Sequence, residues 1–514
     1  MILPAFAAGF FSAAARATTL DDLGVTALQA VTTNLDGRGI CVAQPEASAP
    51  AFEVYPVSVG QPTGLFTYFS SLGYTNGFPN NVGSESSHAN EVARNFYGMT
   101  GKGVATNVAH VDNFDADYFV NTYVVSNLTA LNDLVVNQSF IFTETNGTHA
   151  TVSEQQEIDS AYDDYAAQYG TIFVSGAGNG GPVNPSATCY NGLGVADYGF
   201  GGGTSYGPTL DNGRCKPDIT ALSDATSYST PQVSGGAVLL LQAALRGDGG
   251  NDTNSASDLR TIKALLLNGA VKPVGWTNGN SAPLDARYGA GVLNVLNSYE
   301  QLAGGKQNPC STNSVAIGGA HLPVASTNPV PVTSGWNFQS LASSTTNDEV
   351  NHYFFDVSKG FCTITLVWNR QSGQSNINDL NLFLFDAANS NLVGCSTSLV
   401  DNVEHIYMPE LASGRYDLQV WKAGGSGIVS TSEAYALAWQ FVPSPMLAIA
   451  KSGTDAALTW SVYPAGFRAE TRTNLLVGAW STNNLPSPVL TNGQAVIWLS
   501  PTNDAQFFQL RQQP

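Results

Sequence analysis

The sequence predicts an α/β domain built on a parallel sheet, followed by an antiparallel β-sandwich and a small C-terminal β-domain. Three observations carry this. Residues 18–305 alternate short β-branched runs with helical stretches, the pattern of a parallel sheet covered on both faces. Residues 337–442 hold short strands at regular spacing with turn residues between them. The chain has 514 residues, more than one ordinary core supports, so several domains are expected.

Taken in order, GICVAQ (39–44), DLVVNQSF (133–140) and GTIFVSGAG (170–178) read as buried parallel strands bounded by Gly or Asn. VSEQQEIDSAYDDYAAQYG (152–170) suits an amphipathic helix with Ile158, Tyr162 and Tyr165 on its apolar side. A second helix, PQVSGGAVLLLQAALR (231–246), starts at Pro231 and is apolar nearly all round, so it belongs at the domain centre. DLRTIKALLLNGA (258–270) is a third. Residues 306–336, rich in Pro, Ser, Thr and Asn, read as a linker. The runs HYFFDV, CTITLVW, LNLFLFD, HIYMPEL, RYDLQVW and AYALAWQF then alternate as sandwich strands do. Pro443 and Pro445 break the pattern, and residues 443–514 (LAIAK, AALTWSV, AVIWLS, QFFQLR) form the last β-domain.

Composition limits the function. Apolar residues make up 43 % of the chain and charged residues 11 %, a balance that favours packed domains over disorder. The formal net charge of −19 repels nucleic acid and anionic lipid, and no Lys/Arg cluster offers a local exception. No stretch past the N-terminus is apolar for long enough to span a bilayer. Residues 1–17, MILPAFAAGFFSAAARA, read as a signal peptide with an A-x-A cleavage site at Ala15-Arg16-Ala17, so a secreted protein is expected. The basic n-region is missing, which leaves a plain apolar tail as the competing reading. The six cysteines lack C-x-x-C spacing, against zinc or dithiol redox chemistry. In an oxidising compartment two or three disulfides would fit, with Cys189 and Cys215 the first candidate pair.

The strongest chemical signal is Ala225-Thr226-Ser227-Tyr228-Ser229-Thr230-Pro231, running into the apolar helix. A Ser at a helix N-terminus lies beside free backbone N–H groups and the positive end of the dipole, although Ser is also an ordinary cap. Ser175-Gly176-Ala177-Gly178-Asn179-Gly180-Gly181 closes a strand. An Asn there is either a fixed neutral donor for developing negative charge or a common Asn-Gly turn. Ser87-His88-Ala89-Asn90-Glu91-Val92-Ala93 opens a helix and sets His88 about 140 residues ahead of Ser227.

These segments together resemble the subtilisin-like serine peptidases. The first resembles the G-T-S-x-A-x-P nucleophile motif, with Ala225 for Gly and Ser229 for Ala. The second resembles the A-A-G-N-x-G oxyanion segment. The third resembles the H-G-T-H-V-A-G helix start, with Ala89, Asn90 and Glu91 for Gly, Thr and the second His. Tyr288-Gly289-Ala290-Gly291-Val292-Leu293-Asn294-Val295 is similar to the run that closes such domains. The resemblance implies that Ser227 is the nucleophile, His88 the general base, and Asn179 with the Ser227 N–H the oxyanion donors.

The family ends its first strand with Asp. Here Gly37-Arg38-Gly39-Ile40-Cys41-Val42-Ala43 leads into Gln44-Pro45-Glu46, so Glu46, 42 residues before His88, is expected to take that place. Asp36, ahead of the strand, is the second candidate. Asn137-Gln138-Ser139-Phe140 resembles the N-x-S-L substrate strand, so Ser139 and Phe140 are expected to wall the primary pocket opposite Ser175, Gly176 and Ala177. In the sandwich, Asn378-Asp379-Leu380-Asn381-Leu382 resembles a run in domains appended to secreted bacterial peptidases. Asp379 and Asp386 there are either oxygen ligands for calcium or plain surface carboxylates.

The expected function is a secreted serine endopeptidase acting on protein or peptide substrates. It requires no cofactor, calcium being an optional structural ion, and no metal site is assigned. Two readings compete. One is a degenerate peptidase fold that serves as a secreted binding or scaffold protein. The other is a sedolisin-like acid peptidase, which needs a carboxylate base where His88 stands.

Overall fold

The computed structural model describes residues 19–47, 49–125, 129–142, 150–198, 204–320, 322–324, 328–464, 466–491, 494–500 and 505–512. The segment expected as a signal peptide, residues 1–17, lies outside them.

An eight-stranded sheet centres the first domain. Its spatial order is Ile219–Ala221, Leu193–Asp197, Ile172–Gly176, Val135–Gln138, Cys41–Glu46, His110–Asp115, Phe66–Ser70 and Gly73–Thr75. All neighbours are parallel except the last pair. Helices cover both faces, so Val135–Gln138 and Ile172–Gly176 are buried at every position, as their Val, Ile and Phe content requires. Cys41–Glu46 sits where the winding reverses: the strands up to Asp115 lie on one side of it and the later parallel strands on the other. Open α/β sheets bind ligands outside the carboxyl ends of their strands at such a reversal. Glu46 ends one strand there, Ser139 follows a second, and Asn179 follows a third.

The apolar helix runs Thr226–Arg246 and packs on four of these strands, buried from Ser229 to Ala244. It starts at Thr226, ahead of the Pro231 start that the sequence suggests. Pro231 has no N–H to give the carbonyl four residues back, that of Ser227. Ser139 Oγ donates to this carbonyl instead, at 2.9 Å, and the helix passes through its proline. Helix Val152–Tyr169 opens with a reciprocal Thr151/Glu154 cap and closes at Gly170, whose φ of 73° favours glycine.

The sandwich packs a five-stranded antiparallel sheet on a four-stranded one around Tyr353, Trp368, Leu382, Leu418 and Trp439. Within the expected linker, Ser311–Ala316 is an edge strand paired with Asn347–Val357. Its side chains alternate between half-buried and exposed, the mark of an edge strand, and its polar composition hid it among loop residues. The four-stranded sheet also covers the first domain. Helix Leu259–Gly269 packs on Gly360–Trp368 and Ser432–Val442, and Trp336, Val367, Val403, Ala436 and Ala438 share one buried cluster with the core of the first domain. A small third core, with Leu458, Trp460 and Ile497, closes the C-terminal β-domain.

All six cysteines are free thiols, which corrects the expected Cys189–Cys215 pair. Cys189 is buried with its sulfur against the Gly192 backbone, and a side chain at Gly192 would collide with it. Among the described residues, no helix is long and apolar enough to cross a membrane.

Candidate active site

Ser227 lies in the first turn of the long helix, where its N–H has no intrahelical acceptor. Ser139 brackets it: Ser139 Oγ donates to the Ser227 carbonyl, and Ser227 Oγ faces the Ser139 carbonyl at 3.5 Å. Asn179 follows the neighbouring strand on a turn that needs glycine. Gly178 has φ 107°, and a Cβ there would sit 2.5 Å from Asn184 and 2.7 Å from Ser205. The Asn179 Oδ1 accepts from Thr226 N at 2.9 Å and Thr226 Oγ1 at 3.0 Å. Its Nδ2 is therefore left without an acceptor among the described residues, beside the cleft that Asn179 and Ser227 both line.

His88 sits in the first turn of helix Ser87–Phe96, which Ser86 caps by accepting from the Ala89 N–H. Its Nδ1 is 2.8 Å from Glu46 Oε2. Glu46 is wholly buried, whereas the His88 side chain is 37 % exposed, so one partner is fixed and the other can meet a substrate. The hydrogen bond that His88 donates to Glu46 raises the His88 pKa above its usual 6.5, burial opposes this, and the negative charge of Glu46 adds to the rise. The His88 ring lies 5.9 Å from that of Tyr228, next to the nucleophile candidate. Ser227 and His88 are not hydrogen-bonded to each other; Ser227 Oγ faces Ser139 and His88 Nδ1 faces Glu46. Asp36, the second candidate for the carboxylate, is committed elsewhere, to Arg38 and Asn107.

The cleft beside Ser227 holds about 300 Å³ and is lined by Ser139, Phe140, Ile141, Gly176, Gly178, Asn179, Gly180, Asn184, Thr226 and Ser227. Of the five residues expected to bind substrate, Ser139, Phe140 and Gly176 line it. Ser175 and Ala177 do not. Ser175 Oγ is buried against Gln138 and Ser186, and Ala177 packs with Val183 and Ala187. Ser229, which stands where the family has Ala, donates to the buried carboxylate of Asp197. Two supports escaped the sequence reading. Thr226 aims Asn179, and Gln44 donates to Glu46 Oε1 at 2.8 Å. The second had a signal, because residues two apart on a strand share a face. Asp379 and Asp386 bond to Asn381 and to Ala388 and Asn389. Among the described residues, no three His, Cys, Asp or Glu side chains gather as metal ligands would.

A parallel α/β sheet bearing a half-buried Ser, a carboxylate-held His and a cleft-facing Asn at one rim is the arrangement of a serine peptidase. Residues 67–291 match the model of the subtilase family. The match includes His88, Asn179 and Ser227 but starts after Glu46, whose place rests on geometry. Among solved structures, the chain is similar to the self-cleaved protease domain of PatA, with 21 % identity, a TM-score of 0.33, and 52 % of this chain and 98 % of that one covered. It is also similar to the prenylagaramide maturation protease PagA, with 21 % identity, a TM-score of 0.35, and 55 % and 99 % covered. With tripeptidyl peptidase 2 the identity is 14 %, the TM-score 0.34, and the coverage 76 % of this chain and 43 % of that one. No curated protein matches the sequence.

Proposed function

We propose that this protein is a secreted serine endopeptidase that cleaves peptide bonds through an acyl-enzyme on Ser227. One observation carries the reading: a wholly buried Glu46 holds His88 Nδ1 at 2.8 Å, at the rim where Ser227 and Asn179 share a cleft. With Nδ1–H given to Glu46, the free Nε2 of His88 is the base. Ser227 Oγ attacks the scissile carbonyl while His88 takes its proton, and Glu46 stabilises the imidazolium. The oxyanion is held by Asn179 Nδ2 and the Ser227 N–H. His88 returns the proton to the leaving amine, and water releases the acyl group. The cleft lining is neutral, which suits an uncharged substrate side chain. No step calls for a cofactor, and calcium would serve only as a structural ion. Export rests on the apolar residues 1–17.

Labelling by a fluorophosphonate at neutral pH tests the reading, because such reagents capture a serine only where a base and an oxyanion hole activate it. Wild-type protein is expected to label and Ser227→Ala is not. No labelling of folded wild-type protein would sink the peptidase reading and leave a binding role on a degenerate fold. Asn179→Ala is expected to lower kcat about 10²- to 10³-fold with KM little changed, measured on a peptide substrate. That magnitude was set on a subtilisin, a member of this family, and not on this chain.

A further inference from the structure

Glu46 is one methylene longer than the aspartate its family places at this strand end, so one more bond can rotate between the backbone and the carboxylate. His88 occupies only Oε2. Gln44 occupies the other oxygen: its Nε2 donates to Glu46 Oε1 at 2.8 Å and to the Ala89 carbonyl at 3.0 Å. The amide orientation is forced by chemistry. A carboxylate and a carbonyl can only accept, so Nε2 must face both, and the amide oxygen must find a donor. Tyr97 supplies it, with its hydroxyl 2.5 Å from Gln44 Oε1. Burial holds the Tyr97 phenol far above its usual pKa, so it stays protonated and able to donate.

Gln44, Glu46 and Tyr97 are all fully buried. Ala89 belongs to the first turn of the helix that carries His88, and Tyr97 caps its far end. The Gln44 amide therefore ties the strand-end carboxylate to both ends of the helix that presents the imidazole.

We propose that Gln44, itself held by Tyr97, is a positioning residue that locks Glu46 into the one conformation that orients His88. It lets a glutamate serve where the strand geometry would otherwise favour a shorter carboxylate. The inference rests on the assignment of His88 and Glu46 above.

Gln44→Met tests it, keeping the side-chain volume while removing the donor. Two readouts are taken on the full chain: the His88 titration by NMR, and peptide hydrolysis. His88 is expected to titrate nearer 6.5 than in the wild type, and kcat to fall about 10- to 100-fold with KM nearly unchanged. In a Glu46→Gln background the same change is expected to add less than about two-fold, since its effect passes through Glu46. An unchanged His88 titration in folded Gln44→Met overturns the proposal. So does a full further loss in the Glu46→Gln background, which would mark a merely structural role. Should Gln44→Met not fold, Tyr97→Phe leaves the donor in place but frees the amide to turn, and carries both readouts with a smaller shift. A wild type that fluorophosphonates do not label overturns the catalytic reading. The His88 titration then still shows whether Gln44 sets the Glu46–His88 bond.

Discussion

Glu46→Gln is expected to lower kcat about 10⁴-fold while leaving the fold intact. The amide has the same size and can stay between Gln44 and His88. What it loses is the charge that stabilises the imidazolium and the certainty of tautomer, because an amide NH₂ turned to Nδ1 would force the proton onto Nε2. A His protonated at Nε2 cannot accept from Ser227, and a triad that loses its carboxylate in this way falls by this order. The pH profile should move as well. In the wild type, Glu46 lifts the His88 pKa above 6.5. The base must be neutral, so activity appears only as pH rises through that lifted value. In Glu46→Gln the lifting hydrogen bond and charge are gone and burial alone remains, which lowers the pKa. The acid limb of kcat/KM should then shift to lower pH. A variant as active as the wild type, with its acid limb unmoved, would remove Glu46 from the mechanism.

Ser227, Asn179 and His88 were legible because each lies in a short run whose local geometry the sequence encodes: a helix start, a Gly-rich turn, a capped helix. Glu46 was legible only by counting along a strand. Gln44 was missed although it shares a face with Glu46, because its partners Tyr97 and Ala89 come from a helix whose docking no local pattern states. Ser175 and Ala177, expected beside the substrate, lie off the cleft for a related reason. The strand Ile172–Gly176 is buried on both faces, so residues adjacent in sequence point to opposite sides, and only Gly176 reaches the cleft. The Pro231 helix start failed on a single bond from Ser139, 88 residues away. Least legible was the joining of the domains. Arg370 and Asp163 are 207 residues apart, and neither stands in a recognisable motif.

That junction carries the second large prediction. Arg370 leaves the sandwich and enters helix Val152–Tyr169, with Nε 3.1 Å from Asp163 and Nη2 2.8 Å from the Ser160 carbonyl and 3.0 Å from Asp164. Asn191 binds the Arg370 backbone at both N–H and carbonyl. Arg370 is 5 % exposed and Asp163 not at all. Arg370→Ala strips the charge partner from a buried carboxylate, which costs about 3–5 kcal/mol. The melting temperature should fall by roughly 10 °C in calorimetry. Burial already pushes the Asp163 pKa up, and Arg370 restrains it. With the guanidinium gone, Asp163 binds a proton more readily on folding, so the deficit should shrink as pH falls. Replacing both partners, as Arg370→Met with Asp163→Leu, should recover much of the loss, since no fully buried charge is then stranded and Asp164, 28 % exposed, keeps its access to water. The consequence reaches the cleft. Tyr162 on the same helix accepts from Gln138 at 2.6 Å, one residue before Ser139. An Arg370→Ala protein with unchanged melting would mean that the sandwich is a passenger. A lowered and broadened transition, with kcat reduced before the protein unfolds, would mean that the sandwich buttresses the peptidase site.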